Sequence, residues 1–461
     1  MHDPIAHLNA DKSARQERLM ELLRIASVSA DSRHAGDVKL AAEWVAERFR
    51  SMGLVPEVVP TAGNPIVYAE SPPVPGAPVA LVYGHYDVQP PEPLELWTTP
   101  PFEPTLRDGN VYARGATDDK GQMLTHLEGA AAWLAGGNGA GDGLPLQVKF
   151  LIEGEEEVGS ANLEPFVQEN KDRLACDVVV ISDSSQFSPG MPAITYGLRG
   201  ITYYELRIRG PQRDLHSGSF GGAVTNPAVT LAKMLAAIMG DDGRVQLPGF
   251  YNDVKPLTDG ERAEFASLPF EDAVFAESLG VDGLTGEAGY TTLERRWARP
   301  SFDVCGLWSG YQGEGAKTVL PAEAGAKFSF RLVPDQDPEA VTASLESFLE
   351  SLKPRGIEMQ LIDHHGAPGV AFPPDGPFIS AASRAIEEAF DAKPVKIREG
   401  GSIPIVNTFA DQLGAEVLLL GWGLDDDNTH SPNEKFCLAD FHRGAAASAL
   451  LWRELASLGQ G

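Results

Sequence analysis

Four apolar runs along the chain have the length and composition of buried β-strands. They are VALVYGHYD (79–87), LQVKFLIEG (146–154), DVVVISDSS (177–185) and AEVLLLGWG (415–423). Near-continuous apolar runs are typical of strands in a parallel sheet, which is covered on both faces. Residues 121–135 and 162–174, which lie between these runs, repeat their apolar positions with helical spacing. The alternation of strand and helix predicts an α/β fold, with a mostly parallel sheet flanked by helices.

A different pattern occupies the middle of the chain. Residues 201–210 and 326–334 alternate apolar and polar positions, which predicts half-exposed antiparallel strands. Residues 226–239 and 337–352 have helical spacing, and Asp337 is a favourable N-cap for the second helix. Strands and helices that share one sheet in this way predict a compact α+β domain.

The α/β pattern then returns, with a helix predicted over 376–392 and the last apolar strand over 415–423. A chain of 461 residues is too long for one ordinary hydrophobic core, so two domains are expected. We therefore predict a discontinuous catalytic α/β domain over 1–199 and 372–461, interrupted by an inserted α+β domain over 200–371.

Composition excludes several classes of partner. A net charge of −28 would repel nucleic acid and anionic membranes. No apolar run approaches the roughly 20 residues that span a bilayer, so no membrane association is predicted. Cys176, Cys305 and Cys437 are widely spaced and form no CxxC motif, so neither a disulfide framework nor a thiolate zinc site is expected. This cysteine usage predicts a reducing, cytoplasmic location.

Histidines and acids follow the four predicted strands, where each strand ends. In chain order they are His85, Asp87, Glu155, Glu156, Glu157, Asp183 and His430, and Asp118 and Asp119 precede a predicted helix. Ligands bind at the carboxyl ends of the strands in open α/β sheets, so these side chains are expected at one edge. Imidazoles and carboxylates without thiolates are the ligands of catalytic zinc or manganese. The supply of carboxylates indicates two ions about 3.5–4 Å apart, with one glutamate left free as a general base.

Each of these features also has a simpler explanation. A single histidine at a strand end is usually structural, and Asp118 and Asp119 would serve equally well as an N-cap pair. The run DDDN (425–428) is typical of a solvated turn, and the adjacent His364 and His365 have no comparable context. Several strand-end ligands arising together favour a metal site over these separate explanations.

Five sequence blocks resemble the signature of a known family. They are GHYDVQP, YARGATDDKGQ, IEGEEEVGS, ISDSS and NTHSPNE. In order and spacing they are similar to the co-catalytic dinuclear zinc metallopeptidases, which include aminoacylase, acetylornithine deacetylase, succinyl-diaminopimelate desuccinylase and carboxypeptidase G. The blocks DLHSG, REGGSIP and THSPNE resemble most the carnosinase and cytosolic nonspecific dipeptidase branch.

The resemblance assigns the ligands of two divalent ions per subunit. It implies that His85 and Asp183 bind one ion and that Glu157 and His430 bind the other. Asp118 matches the carboxylate that bridges the pair. Zinc is the expected metal, and manganese and cobalt suit the same ligands.

Further roles follow from the same resemblance. Glu156 matches the general base, and Asp87 matches the acid that orients the metal-bound imidazole. The peptide bond between Asp118 and Asp119 is expected to be cis. Among the remaining glutamates of the block, Glu155 departs from the residues usual in this branch.

The inserted domain resembles the family's lid and dimerisation domain. His216 matches a histidine that reaches across a homodimer to polarise the scissile carbonyl. Arg331 and Ser402 match residues that hold the carboxylate end of the substrate, a task that suits the bidentate guanidinium. Arg331 would otherwise be a surface strand residue, and the sequence around His216 would otherwise be a glycine-rich turn.

Together these features predict an enzyme that hydrolyses the peptide bond of dipeptides or short peptides. A metal-bridging water is expected to lose its proton to Glu156 and to attack the carbonyl. The alternative is an N-acyl amino acid amidohydrolase of the same family, such as a deacetylase or desuccinylase. A non-catalytic metal-binding or assembly protein is less well supported, because all five predicted ligands and the base are present.

Overall fold

The computed structural model describes residues 2–136, 143–401, 403 and 405–460. The chain forms two compact units. The first consists of residues up to 196, 372–397 and those from 405 onward, and the second consists of 197–371 and 398–404. The domain bounds and the roles given to the two predicted domains remain predictions.

The strands are short in the small sheets and longest in the second unit. In chain order they are β1 (Glu57–Val59), β2 (Ile66–Glu70), β3 (Val79–His85), β4 (Thr105–Arg107), β5 (Asn110–Tyr112), β6 (Gln147–Glu153), β7 (Val178–Ile181), β8 (Ala193–Leu198), β9 (Gly200–Arg209), β10 (Leu215–His216), β11 (Ser301–Ser309), β12 (Val319–Leu320), β13 (Glu323–Leu332), β14 (Glu358–Ala367), β15 (Val370–Ala371), β16 (Val395–Glu399), β17 (Glu416–Gly421) and β18 (Lys435–Cys437).

Helices separate most of these strands. In chain order they are α1 (Pro4–Ala10), α2 (Lys12–Leu23), α3 (Ala35–Ser51), α4 (Lys120–Leu134), α5 (Leu163–Glu169), α6 (Lys171–Leu174), α7 (Ser217–Phe220), α8 (Pro227–Ile238), α9 (Asp259–Ser267), α10 (Asp272–Leu279), α11 (Thr292–Ala298), α12 (Pro338–Leu352), α13 (Pro377–Phe390), α14 (Ile405–Leu413) and α15 (Leu438–Ala456), with 3₁₀ turns at Ser32–His34, Leu94–Leu96, Glu156–Val158 and Ser457–Gln460.

The main sheet of the first unit has a parallel centre. Seven of its strands lie in the order β1-β2-β6-β3-β7-β17-β8, and β16 also pairs with β8. Strand β3 pairs in parallel with β6 and β7, and β17 pairs in parallel with β7. All four strands predicted from apolar runs are therefore present, and the α/β prediction is confirmed. Their carboxyl ends lie along one edge of the sheet.

Helices α4, α13 and α15 cover this sheet with apolar side chains. Met123, Leu124 and Leu127 of α4 are fully buried in the same core as Phe441 and Trp452 of α15. The buried faces arise from the helical spacing seen in the sequence, and burial of each large side chain contributes about 1.5–3 kcal/mol. The helix predicted over 162–174 is instead divided into α5 and α6.

The second unit is an α+β fold around the antiparallel sheet β11-β13-β9-β14. Phe328 of β13 lies opposite Tyr204 of β9, and both side chains are fully buried. Helices α8 and α12 contribute Leu231 and Leu345 to the same core. Asp337 caps α12 by accepting a hydrogen bond of 3.0 Å from the amide of Glu339, which confirms the predicted N-cap. The antiparallel strand prediction is confirmed as well.

A buried histidine in α4 makes the first unit sensitive to acid. His126 is fully buried between the hydroxyls of Ser182, at 2.8 Å, and Ser448, at 2.9 Å. Burial lowers its pKa to about 3, so the folded protein keeps this imidazole neutral. Its stabilising contribution is complete above the unfolded pKa of about 6.5 and is lost as the pH falls toward 3.

We expect the free energy of unfolding to fall by about 2 kcal/mol between pH 6.5 and pH 5 through His126 alone. Urea unfolding of wild type and His126→Gln at pH 8, 6.5 and 5 would measure this. The glutamine variant should be less stable at pH 8 but should lose less stability on acidification. Parallel pH profiles for the two proteins would contradict the assignment.

Candidate metal centre

The ends of four neighbouring strands position the predicted ligands. His85 is the last residue of β3, and Asp183 lies two residues beyond β7. Glu157 lies in the 3₁₀ turn that follows β6, and His430 lies in the loop between β17 and β18. Asp118 immediately precedes the N-cap of α4. The edge of the sheet therefore gathers residues that are far apart in the sequence, as expected for an open α/β fold.

The five side chains form two groups that share one carboxylate. His85 Nε2 lies 3.3 Å from Asp118 Oδ1 and 3.9 Å from Asp183 Oδ2. His430 Nε2 lies 2.9 Å from Asp118 Oδ2 and 3.4 Å from Glu157 Oε2. Within each group the potential ligand atoms all lie within 4.8 Å of one another. Asp118 thus presents one oxygen to each histidine, as a carboxylate does when it bridges two ions.

The imidazole of His85 has one nitrogen engaged and one available. Its Nδ1 lies 3.1 Å from the backbone oxygen of Asp87, which fixes the ring orientation. Among the described residues its Nε2 is buried without a hydrogen-bond partner. A cation bound by this nitrogen would satisfy it. The preceding residue must be small, because a Cβ on Gly84 would lie 2.6 Å from Cγ of Met123 and 2.9 Å from Oδ2 of Asp119.

The carboxylate of Asp87 holds the turn that contains two of the glutamates. Its oxygens accept hydrogen bonds from the amides of Glu156, at 3.3 Å, and Glu157, at 3.1 Å. The turn ends at Gly159, whose φ of 94° favours glycine. Glu157 in turn accepts a hydrogen bond of 2.7 Å from Nε2 of Gln89. Asp87 therefore orients His85 through its backbone carbonyl and the glutamate turn through its side chain.

Mutual repulsion and burial make this cluster suitable for cations. Burial, reinforced by neighbouring carboxylates, raises the pKa of Glu157 to about 10 and the pKa of Glu156 to about 8. Burial and the charge of Asp118 raise the pKa of Asp183 to about 6. For Asp118 burial acts in the same sense, but the adjacent His430 and His85 outweigh it and lower the pKa. Divalent cations would relieve the repulsion, and imidazole with carboxylate suits zinc, manganese or cobalt.

Comparison with known proteins identifies the family. Residues 81–454 match the model of peptidase family M20/M25/M40. The chain belongs to this peptidase family. It is 33% identical over 454 residues to the Cys-Gly metallodipeptidase DUG1 of Saccharomyces cerevisiae, covering 94% of this chain and 93% of that protein. It is also 33% identical over 451 residues to human Beta-Ala-His dipeptidase, covering 95% and 86%.

A solved structure supports the same relationship. The M20 family metallo-carboxypeptidase Sso-CP2 from Sulfolobus solfataricus superposes with a TM-score of 0.86 at 31% identity, over 96% of this chain and 99% of that one. The predicted family, fold class and enzymatic nature are therefore confirmed. Among the helices of the described residues, none combines the length and apolar character needed to cross a membrane.

The other two glutamates of the 151–160 block of this peptidase, Glu153 and Glu155, accept hydrogen bonds from other parts of the protein. Glu153 is buried and accepts hydrogen bonds from Tyr83 Oη, at 2.6 Å, and Ser160 Oγ, at 2.8 Å. Glu155 is also buried and accepts hydrogen bonds of 2.8 Å from the amide of Asn64 and 2.7 Å from Nδ2 of Asn162. Both side chains are committed to hydrogen bonds within the protein.

The interpretation of Asp118 and Asp119 as an N-cap pair is correct only in that Asp119 occupies the N-cap position of α4. Asp119 is the N-cap residue of α4, but its side chain makes no capping hydrogen bond. Its Oδ2 instead accepts from the amide of His85 at 3.1 Å. The peptide bond between Asp118 and Asp119 is cis, which confirms the expectation.

The interpretation of 425–428 as a solvated turn is wrong for one residue. Asp427 is fully buried. Its carboxylate lies 2.9 Å from Oγ1 of Thr117 and accepts hydrogen bonds from the amide of Leu424, at 2.9 Å, and from Lys435 Nζ, at 3.0 Å. These contacts connect the loop that contains His430 to the segment that contains Asp118.

Sequence reasoning missed one buried acid of this peptidase. Glu434 is fully buried and accepts four hydrogen bonds, from Arg114 Nη1 and from the amides of Gly115, Thr117 and Asp118. Glu434 is the last residue of the NTHSPNE block, and this was the one sequence feature that could have indicated a role for it.

Of the three predicted substrate-binding residues, His216 and Arg331 are among the described residues, and neither belongs to the metal-ligand groups. His216 is exposed and forms the N-cap of α7, where its Nδ1 accepts hydrogen bonds from the amides of Gly218, at 3.1 Å, and Ser219, at 3.3 Å. Arg331 is half-buried on β13, and burial lowers its pKa. Ser402 lies outside the described residues.

Proposed function

We propose that this peptidase is a dinuclear metallodipeptidase. The observation that supports this most directly is the position of Asp118, which presents its two oxygens to two separate histidine and carboxylate groups. A glutamate that belongs to neither group, Glu156, lies beside the ligand Glu157. This is the arrangement that two-ion hydrolysis requires, because one carboxylate must remain free to move a proton.

Two divalent ions, with zinc favoured, would be held by the five side chains. His85 and Asp183 would bind one, Glu157 and His430 the other, and Asp118 both. When bound, the ions polarise a carbonyl oxygen and lower the pKa of water. The unpartnered Nε2 of buried His85 and the raised pKa values of the carboxyl groups support this assignment.

Glu156 is the proposed general base and acid. Asp87 accepts a hydrogen bond from the amide of Glu156, which holds the turn that contains this glutamate. Burial raises the pKa of Glu156 to about 8 in the metal-free protein, so this carboxyl group binds a proton more readily than an exposed glutamate does. The side chain would take a proton from the attacking water and deliver it to the leaving amine.

The second unit is proposed to bind the substrate carboxylate and to form a homodimer. Arg331 and Ser402 would hold the carboxylate, and His216 would act across the dimer. The tautomer of His216 suits this task, because its Nδ1 accepts backbone hydrogen bonds and its Nε2 therefore presents a proton. Strand β11 is an edge strand with exposed Leu307 and Trp308, a surface that a second copy would cover.

The substrates are proposed to be small dipeptides in the cytoplasm. Two relatives of similar length are named for Cys-Gly and for Beta-Ala-His dipeptides. The net charge of −28 supports a small substrate over a polyanionic one.

Reconstitution of metal-free protein with Zn²⁺, Mn²⁺ or Co²⁺ would test the proposal. Each form would be assayed against Cys-Gly, β-Ala-His, Ala-Ala, an N-acetyl amino acid series and a blocked tripeptide. We expect metal-dependent cleavage of free dipeptides at rates at least about tenfold above the N-acetyl series, because the same ions serve both reactions and only the substrate contacts differ. Preferential cleavage of N-acetyl amino acids would favour the amidohydrolase alternative, and release of the C-terminal residue from the blocked tripeptide would favour a carboxypeptidase.

A further inference from the structure

The segment 113–118, which delivers the bridging aspartate, has little secondary structure of its own. It leaves β5 and reaches the N-cap of α4 through turns and bends. Buried backbone amides need partners, and a segment without a helix or ladder must find them elsewhere. The carboxylate of Glu434 accepts hydrogen bonds from the amides of Gly115, Thr117 and Asp118.

Each carboxylate oxygen of Glu434 accepts two hydrogen bonds. Oε1 accepts from the amides of Thr117, at 3.0 Å, and Asp118, at 3.1 Å. Oε2 accepts from the amide of Gly115 and from Nη1 of Arg114, both at 2.8 Å. Both members of the ion pair are buried, with Arg114 1% and Glu434 0% exposed. Every acceptor direction is thus used within one short segment.

Glu434 is also close in the sequence to a second predicted ligand, His430. It lies four residues after His430 and directly before β18, which pairs with β5 next to the segment. Its own backbone oxygen accepts from the amide of Ala113 at 3.1 Å. The loop with His430 and the segment with Asp118 are therefore joined at one carboxylate.

We propose that Glu434 is a positioning residue that sets the place of the bridging carboxylate between the two metal positions. This inference rests on the metal centre of the proposed function. A carboxylate can accept from all four donors, whereas a glutamine amide has one oxygen and would turn its NH₂ toward the other two donors. Glu434→Gln would therefore release either the Thr117 and Asp118 amides or the Gly115 and Arg114 pair.

Metal binding measured by chelator competition is the test, with Zn²⁺ and with Co²⁺ as the probes. We expect both metal dissociation constants of Glu434→Gln to rise by about 10–100-fold, the range typical of residues that support metal ligands. The visible absorption of the Co²⁺-loaded variant should differ from that of wild type, because the geometry at the shared carboxylate changes.

Glu128→Gln is the matched control. Glu128 is also a buried carboxylate with four guanidinium contacts, from Arg18 and Arg48, but it lies on α4 away from the ligand segment. Both variants should be less stable than wild type. Only Glu434→Gln should change metal affinity and the Co²⁺ spectrum, whereas Glu128→Gln should stay within about threefold of wild type.

A double variant separates positioning from simple charge balance. Arg114→Met with Glu434→Gln removes the guanidinium that the single variant leaves unbalanced, and it is the second variant to test if the single variant fails to fold. We expect it to recover stability but to keep weakened metal binding. Wild-type affinity in the double variant, or equal losses in Glu434→Gln and Glu128→Gln, would overturn the inference. Wild-type protein that binds no metal would instead overturn the metal centre, and this inference with it.

Discussion

Replacement of Glu156 by glutamine is expected to lower kcat for dipeptide hydrolysis by about 10²–10⁴-fold, the contribution typical of a general acid–base group. Glutamine has nearly the same shape and keeps the turn, because the turn is held by the backbone amides that Asp87 binds. It cannot accept a proton, so water activation and proton delivery to the amine both fail. Metal content and KM should change little, since Glu156 belongs to neither ligand group.

Glu155→Gln provides the matched control for this experiment. The neighbouring side chain is also a buried glutamate, but both its oxygens accept hydrogen bonds from Asn64 and Asn162. Its replacement should leave kcat within about tenfold of wild type. Steady-state kinetics with metal analysis of each preparation would decide the matter. If Glu156→Gln turns over near the wild-type rate, Glu156 is not the base.

Replacement of Asp118 by asparagine is expected to remove both metal ions together. An amide offers one oxygen where the carboxylate offers two, and it lacks the negative charge that offsets two dications. Activity should fall by at least about 10³-fold, since metal ions contribute several kcal/mol of transition-state stabilisation. Metal analysis after dialysis should show a cooperative loss, in contrast to Asp183→Asn, which should weaken mainly the ion at His85.

Asp119→Asn is the control for the neighbouring position. Asp119 belongs to neither ligand group, and its Oδ2 accepts a hydrogen bond of 3.1 Å from the amide of His85, which the oxygen of an asparagine amide can also accept. Two bound ions per subunit are therefore expected in Asp119→Asn. Retention of two ions by Asp118→Asn as well would refute the bridging role.

The fold and the proximity of the candidate ligands were predictable because both depend on short, regular patterns. Buried strands appear as apolar runs, and the position of a parallel strand's end follows from the run itself. His85 and Asp183 could be placed at one edge on that basis. The same reasoning failed at Asn170, where one predicted helix becomes two, because helical spacing alone does not mark a cap within a pattern.

Residues that bind groups far away in the sequence were not predictable from these patterns. Glu434 and Asp427 bind segments more than three hundred positions earlier in the chain. Asp427 lies within a run of three acids, where composition predicts solvent, and only the packing around Thr117 distinguishes it. The double role of Asp87 was hidden for the same reason, since its carboxylate binds amides rather than another side chain.

The order of strands in the main sheet has a consequence for biosynthesis. Strand β17 lies between β7 and β8, yet it leaves the ribosome more than two hundred residues after either of them. Until it arrives, both neighbours expose unpaired edges, and the loop that supplies His430 does not yet exist. His85, Asp118 and Asp183 precede β17 in the chain, whereas His430 follows it, so the second metal position is completed last. Synthesis of β17 and of the loop after it therefore both pairs the two edges and supplies His430 to the centre.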